Sequence, residues 1–113
     1  MTTPRTILVI DNDPLIVEAF RKFLQKEGYR MLDAGGISEA LERVSREQID
    51  LVIADADISA DLPFTLKKRA PQIPVIVISS SPLEDILPAD LVLCKPLELK
   101  QIREGIHDLL KSV

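Results

Sequence analysis

Four short runs of aliphatic, largely β-branched residues, Thr6 to Ile10, Ile49 to Ala54, Val75 to Ile78 and Leu91 to Leu93, each give way within two residues to a polar or ionic side chain. Runs like Ile49 to Ala54 are continuous rather than alternating, which is the pattern of a strand buried on both faces. Between them lie segments of helical period. Strands that alternate with helices build a parallel sheet, and right-handed crossovers place the helices above and below it. The fold class that follows is doubly wound α/β.

The punctuation supports this reading. Asp13 is placed as an N-cap ahead of Pro14 at the first helical position, a favoured way to open a helix. Leu15, Ile16, Ala19, Phe20, Phe23 and Leu24 then recur at helical spacing as a buried stripe, and Gly28 sits where a C-terminal cap belongs. A second strand is expected over Tyr29 to Asp33, followed by a helix capped by Ser38 and carrying Ala40, Leu41 and Val44. Phe64 to Arg69 allows at most two helical turns. Pro82 and Pro88 confine the next helical segment to Leu83 to Leu87, and Leu97 to Leu110 reads as a final amphipathic helix through Leu99, Ile102, Ile106, Leu109 and Leu110.

Composition narrows the function classes. A chain of 113 residues with 46% hydrophobic side chains fits one compact domain spanning 1–113 and has no room for a second. The apolar runs are too short to cross a bilayer, and Met1-Thr2-Thr3-Pro4 has no signal-peptide core, so a soluble cytoplasmic protein without membrane contact is expected. A net charge of −4 argues against direct nucleic-acid binding, which rests on clustered Lys and Arg. Cys94 stands alone, so no internal disulfide or cysteine-based zinc site is available.

In open α/β sheets, ligands sit beyond the carboxyl ends of the strands. The residues there are Asp11-Asn12-Asp13, Asp55, Ser79 and Lys95. Asp11 and Asp55 each end a buried apolar run, where a lone charge is costly without a purpose. Two carboxylates supply hard oxygen ligands for magnesium, Lys95 is a point cation for phosphate, and Ser79 offers a hydroxyl to a phosphoryl oxygen. The chemistry this suggests is phosphoryl transfer to an aspartate. Asp13 is expected to serve chiefly as a helix cap, Cys94 to pack as a small hydrophobe, His107 to face solvent, and Lys67-Lys68-Arg69 to form the wet end of a helix.

Four stretches occur in the order that resembles the response-regulator receiver family: Ile7-Leu8-Val9-Ile10-Asp11-Asn12-Asp13-Pro14, Asp50-Leu51-Val52-Ile53-Ala54-Asp55, Ile73-Pro74-Val75-Ile76-Val77-Ile78-Ser79-Ser80 and Lys95-Pro96-Leu97. The resemblance implies a flavodoxin-like sheet of five parallel strands in the order 2-1-3-4-5. It also implies that Asp55 takes a phosphoryl group from a histidine kinase or phosphotransfer protein in a two-component phosphorelay. By the same matching, Mg2+ would be held by Asp11, Asn12, Asp55 and the backbone carbonyl of Asp57, while Lys95 and Ser79 would contact the phosphoryl group. The Lys95-Pro96 bond is expected to be cis, an isomer that proline makes accessible. The signal would pass through a protein surface to an output domain or a second copy.

The chain departs from the family pattern at several points. Asn12 stands where the family usually carries a second acid, and the missing charge weakens the magnesium site. The third and fourth helices are shortened, and Val92 replaces the aromatic residue often found three positions before the lysine. These departures raise an alternative, a degenerate receiver acting as a phosphorylation-independent interaction module. A phosphatase resembling the haloacid-dehalogenase group is a third reading, from Asp11-x-Asp13. It lacks that group's threonine, where Leu15 stands, and its acidic pair after the lysine.

Overall fold

The structure, a computed structural model, describes residues 3–80 and 88–111. Five strands, β1 (Thr6–Ile10), β2 (Arg30–Ala34), β3 (Leu51–Asp55), β4 (Val75–Ser79) and β5 (Leu91–Cys94), alternate with α1 (Pro14–Lys26), α2 (Ile37–Arg46), α3 (Leu62–Arg69) and, after β5, α4 (Leu99–Lys111). All strand pairs are parallel and the order is β2-β1-β3-β4-β5, as the resemblance implied. The shortened helix expected at Leu83 to Leu87 lies outside the described residues. No described helix is long and apolar enough to cross a membrane.

The continuous apolar runs resolve into two interleaved cores, because successive side chains of a strand point to opposite faces. Ile7, Val9, Ile53, Ile76 and Ile78 pack on one face against Phe20 and Leu24 of α1 and Ile102, Ile106 and Leu110 of α4. Leu8, Ile10, Val52, Ala54 and Val77 pack on the other against Ala40 of α2 and Leu62 and Leu66 of α3. A strand with helices on both sides needs an apolar residue at every position, and β1, β3 and β4 are buried throughout.

Helix ends follow their local chemistry. The Asp13 side chain accepts from the Leu15 N–H, Pro14 follows it, and Gly28 beyond the end of α1 adopts φ +91°, a conformation that disfavours any residue with a Cβ. The start of α2 differs from expectation. Gly36, not Ser38, is the N-cap and makes no side-chain bond, while Glu39 reaches back to accept the Gly35 N–H at 2.6 Å. That bond does the work of the reverse arm of a capping box.

Two apolar stripes are narrower than their periodicity suggests. In α1 the core face is Val17, Phe20 and Leu24, whereas Leu15 is 79% exposed and Ile16 and Ala19 are also exposed. In α4, Leu99 is exposed while Ile102, Ile106 and Leu110 are buried. A helix lying on a sheet buries only the stripe that touches it. The flanking apolar side chains of α1 and α4 face each other instead, and Ile16, Ala19, Phe23, Leu97 and Leu99 line a groove between the two helices. Gly105 brings α4 close to β5, since a Cβ there would stand 2.5 Å from Leu91 Cδ2.

Candidate functional site

The last rungs of the sheet deliver the candidate residues to one rim. The Asp11 N–H donates to the Ala34 carbonyl at 3.0 Å, just past β1. Asp55 ends β3 opposite Ile78, and the next N–H, that of Ala56, donates to the Ile78 carbonyl at 2.8 Å. Ser79 ends β4, and its carbonyl accepts the Lys95 N–H at 2.8 Å. Ladder bonds therefore run through the site on every side. The peptide bond after Lys95 is cis, as expected from the resemblance.

The side chains meet there. Lys95 Nζ lies 2.9 Å from Asp55 Oδ2 and 3.1 Å from Asp57 Oδ2, so one ammonium bridges two carboxylates. The other Asp55 oxygen, Oδ1, accepts the Asp57 N–H at 2.8 Å. Asp11 Oδ1 accepts the Asp13 N–H at 2.9 Å. Asp11, Asp55 and Ser79 are buried, at 7%, 6% and 2% exposure, whereas Asn12, Asp57 and Lys95 are exposed.

Burial pushes the Asp11 carboxyl above its ordinary pKa; the Asp13 N–H opposes this and the neighbouring Asp55 carboxylate adds to it. Hydrogen bonding to Asp55 holds the Lys95 ammonium above its usual range, against a smaller opposing effect of burial. The same lysine draws the Asp57 carboxyl below the usual carboxylate range. Two crowded acids beside one lysine form a site with unrelieved negative charge at Asp11. An oxygen-rich pocket of this kind suits a hard divalent cation, with Asp11 and Asp55 as anionic ligands. Among the described residues no three His, Cys, Asp or Glu side chains are grouped to hold a metal, so carbonyl, amide or water oxygens would complete the shell.

Residues 7–107 match the response regulator receiver domain family. The chain belongs to that family. Receivers are the domains of two-component response regulators that take in the signal, and the relatives agree. The chain is 34% identical to the response regulator GtcR of Aneurinibacillus migulanus over 67% of its own length and 33% of that protein's. It is 27% identical to a probable transcriptional regulatory protein, TcrX of Mycobacterium tuberculosis, over 96% of its length and 50% of that protein's. It thus spans about a third to a half of these curated relatives. Among solved structures, it superposes on the response regulator TrrA of Thermotoga maritima, determined in complex with magnesium and BeF, with TM-score 0.85 and 26% identity over 93% of this chain and 98% of that one. A CheY-like receiver of Methanospirillum hungatei has the same fold, with TM-score 0.89 and 22% identity over 97% and 96% of the two chains.

Other residues of the receiver resolve as follows. Asp13 is spent on the helix cap, and His107 faces solvent at 71% side-chain exposure. Cys94 is exposed rather than packed as a small hydrophobe, because β5 is an edge strand in which only Leu93 is buried. Lys68 and Arg69 form the wet end of α3, but Lys67 does not: its Nζ bonds Asp90 Oδ2 at 2.7 Å and the Ile73 carbonyl at 3.0 Å. Sequence reasoning gave Asp57 a role through its carbonyl and saw its carboxylate only as added negative potential for the metal site, whereas that carboxylate accepts from both Lys95 and the Ser80 N–H. The only available signal was the position of an acid two residues after Asp55.

Proposed function

We propose that Asp55 is the phosphoacceptor of a two-component phosphorelay. In the transfer a carboxylate oxygen of Asp55 bonds to the phosphorus of a phosphohistidine on a sensor kinase or phosphotransfer protein. The P–N bond breaks, and its electrons return to the imidazole. The observation that carries this reading is the Lys95 ammonium held 2.9 Å from the carboxylate that ends the central strand. There it balances charge on the incoming phosphoryl oxygens, the electrostatic contribution that dominates such transfers. Ser79, buried one residue beyond the β4 position opposite Asp55, is assigned to donate to another phosphoryl oxygen.

Asp11, Asp55, the Asp57 carbonyl and, weakly, the Asn12 amide are assigned to hold Mg2+. Bound there, it would neutralise phosphoryl charge and relieve the Asp11–Asp55 crowding. The chain promotes its own modification and is otherwise a signalling protein in the cytoplasm that acts through a protein surface.

Acetyl phosphate or beryllofluoride with magnesium tests this. Amide signals around Asp55 are expected to shift in wild type and to stay still in Asp55→Asn. Asn12 and Val92 favour the second reading, a phosphate-independent binding module. Unchanged wild-type signals at millimolar magnesium would establish that reading in place of the first.

A further inference from the structure

The Asp57 carboxylate gathers three short contacts. Lys95 Nζ lies 3.1 Å from its Oδ2, and the Ser80 N–H points at both oxygens, at 3.2 and 3.3 Å. An ammonium and a backbone N–H converging from two strand ends form an anion-recognition set. Both donors also lie beside Asp55, because the same ammonium bonds Asp55 Oδ2 and Ser80 follows the strand paired with β3. The carboxylate therefore occupies the donors nearest to any anion carried by Asp55.

From this geometry we infer that the Asp57 side chain is a built-in stand-in for the phosphoryl group, a plug that must leave the Lys95 and Ser80 donors before Asp55 can hold a phosphoryl group. The inference rests on the reading of Asp55 as phosphoacceptor and adds a residue that sets how readily the site fills. A phosphoryl group carries up to two negative charges and three strong acceptor oxygens. The Ser80 N–H is a single donor that cannot serve both anions, and a phosphoryl group crowded beside the carboxylate at the Lys95 ammonium would repel it strongly. Asp57 is exposed on the loop after β3, so its side chain can turn out into water while its backbone stays in place. The plug opposes filling of the site through the bonds it gives up.

Structural pairing alone predicts something different. If Asp57 only tied the β3 and β4 loops together, its removal would loosen the site and weaken anion uptake. If it plugs the site, removal strengthens uptake.

The test is a beryllofluoride titration in magnesium, followed by amide NMR, on wild type, Asp57→Ala and Asp57→Asn, with Asp55→Asn as control. Asp57→Ala is expected to bind about tenfold more tightly than wild type, the scale of one lost charge-assisted contact pair. Asp57→Asn should fall between them, since its amide oxygen still accepts from Ser80 without the charge. In the free proteins the Ser80 amide proton should move upfield in Asp57→Ala; in the beryllofluoride adducts the wild-type and Asp57→Ala Ser80 signals should converge. Equal or weaker binding by Asp57→Ala, or an unmoved Ser80 signal in the free protein, overturns the plug while leaving Asp55 as acceptor. Uptake by none of the chains overturns the acceptor reading and the plug with it.

Discussion

β3 ends in a charge of the site and β5 leads directly into one, but they hold it differently. Every residue of β3 is buried, and its last residue, Asp55, is fixed between the Asp57 N–H and Lys95. β5 is a four-residue edge strand with Leu93 alone buried, and it ends in exposed Cys94 ahead of an exposed lysine. The acid is immobilised by packing, the base only by its ion pairs. A receiver arranged this way has a rigid carboxylate and an adjustable cation, and the adjustable partner is the one shared between Asp55 and Asp57.

The sharpest way to break this contrast is to hollow out each strand. Ile53→Ala, in the middle of β3, is expected to cost about 2–5 kcal/mol in urea unfolding, while Val92→Ala on half-buried β5 should cost about 1 kcal/mol or less. Equal losses would mean that β5 is as well packed as the centre. Gly105→Ala probes how β5 is held down. Its Cβ would meet Leu91 Cδ2 at 2.5 Å, so the half-buried Leu91 side chain must turn away; the gain of about 1 kcal/mol in helix propensity offsets the overpacking, leaving a net change of about 1 kcal/mol or less with β5 amides moved more than those of β3.

The edge also depends on a polar staple. Asp90 Oδ2 accepts the Val75 N–H at 2.8 Å and pairs with Lys67 at 2.7 Å, tying the starts of β4 and β5 to α3. Burial works against the Asp90 carboxylate, but Lys67 and the Val75 N–H outweigh it and leave its pKa lowered. Stability from a depressed carboxylate is present above its unfolded value, about 4, and is lost as pH falls through the folded one. Asp90→Ala is thus expected to cost about 1 kcal/mol at neutral pH, and the difference from wild type should close in acid.

Asp11 gives the smallest change and the opposite sign. Its pKa is raised, so the folded state binds the proton more tightly than the unfolded chain, and ionisation costs stability as pH rises through the folded value. Asp11→Asn should therefore be more stable than wild type at neutral pH, on the order of 1 kcal/mol, with the gain vanishing below about pH 4. Thermal melts with and without magnesium check this. If Asp11 holds the ion, magnesium should stabilise wild type and leave Asp11→Asn nearly unmoved.

Much of this was legible in the chain itself. The stretches Ile7 to Ile10, Leu51 to Ala54 and Val75 to Ile78 have no polar position, so they had to be covered on both faces, and that requirement carried the fold class. Residues that follow such strands fall on one rim by geometry, which is why Asp11, Asp55, Ser79 and Lys95 arrive together. Boundaries moved by one or two residues, as at β2 and α4, because the last turn or rung depends on neighbours the local pattern does not contain.

Helical period also misjudged Leu15, Ile16 and Leu99. Periodicity reports which side chains share a face, while burial depends on how much of that face the sheet reaches.

The sequence by itself determined a two-sided parallel sheet and the chemical kinds at its rim, because these follow from continuous apolar runs separated by segments of helical period and from the order of the residues. The tertiary structure alone decided which charges pair. Lys95 is 38 residues from Asp57, and Ser80 is 23, so crossover connections, not local pattern, bring that ammonium and N–H to the Asp57 carboxylate. Contacts that distant depend on how helices pack and where each strand stops, and no residue's own neighbourhood encodes them.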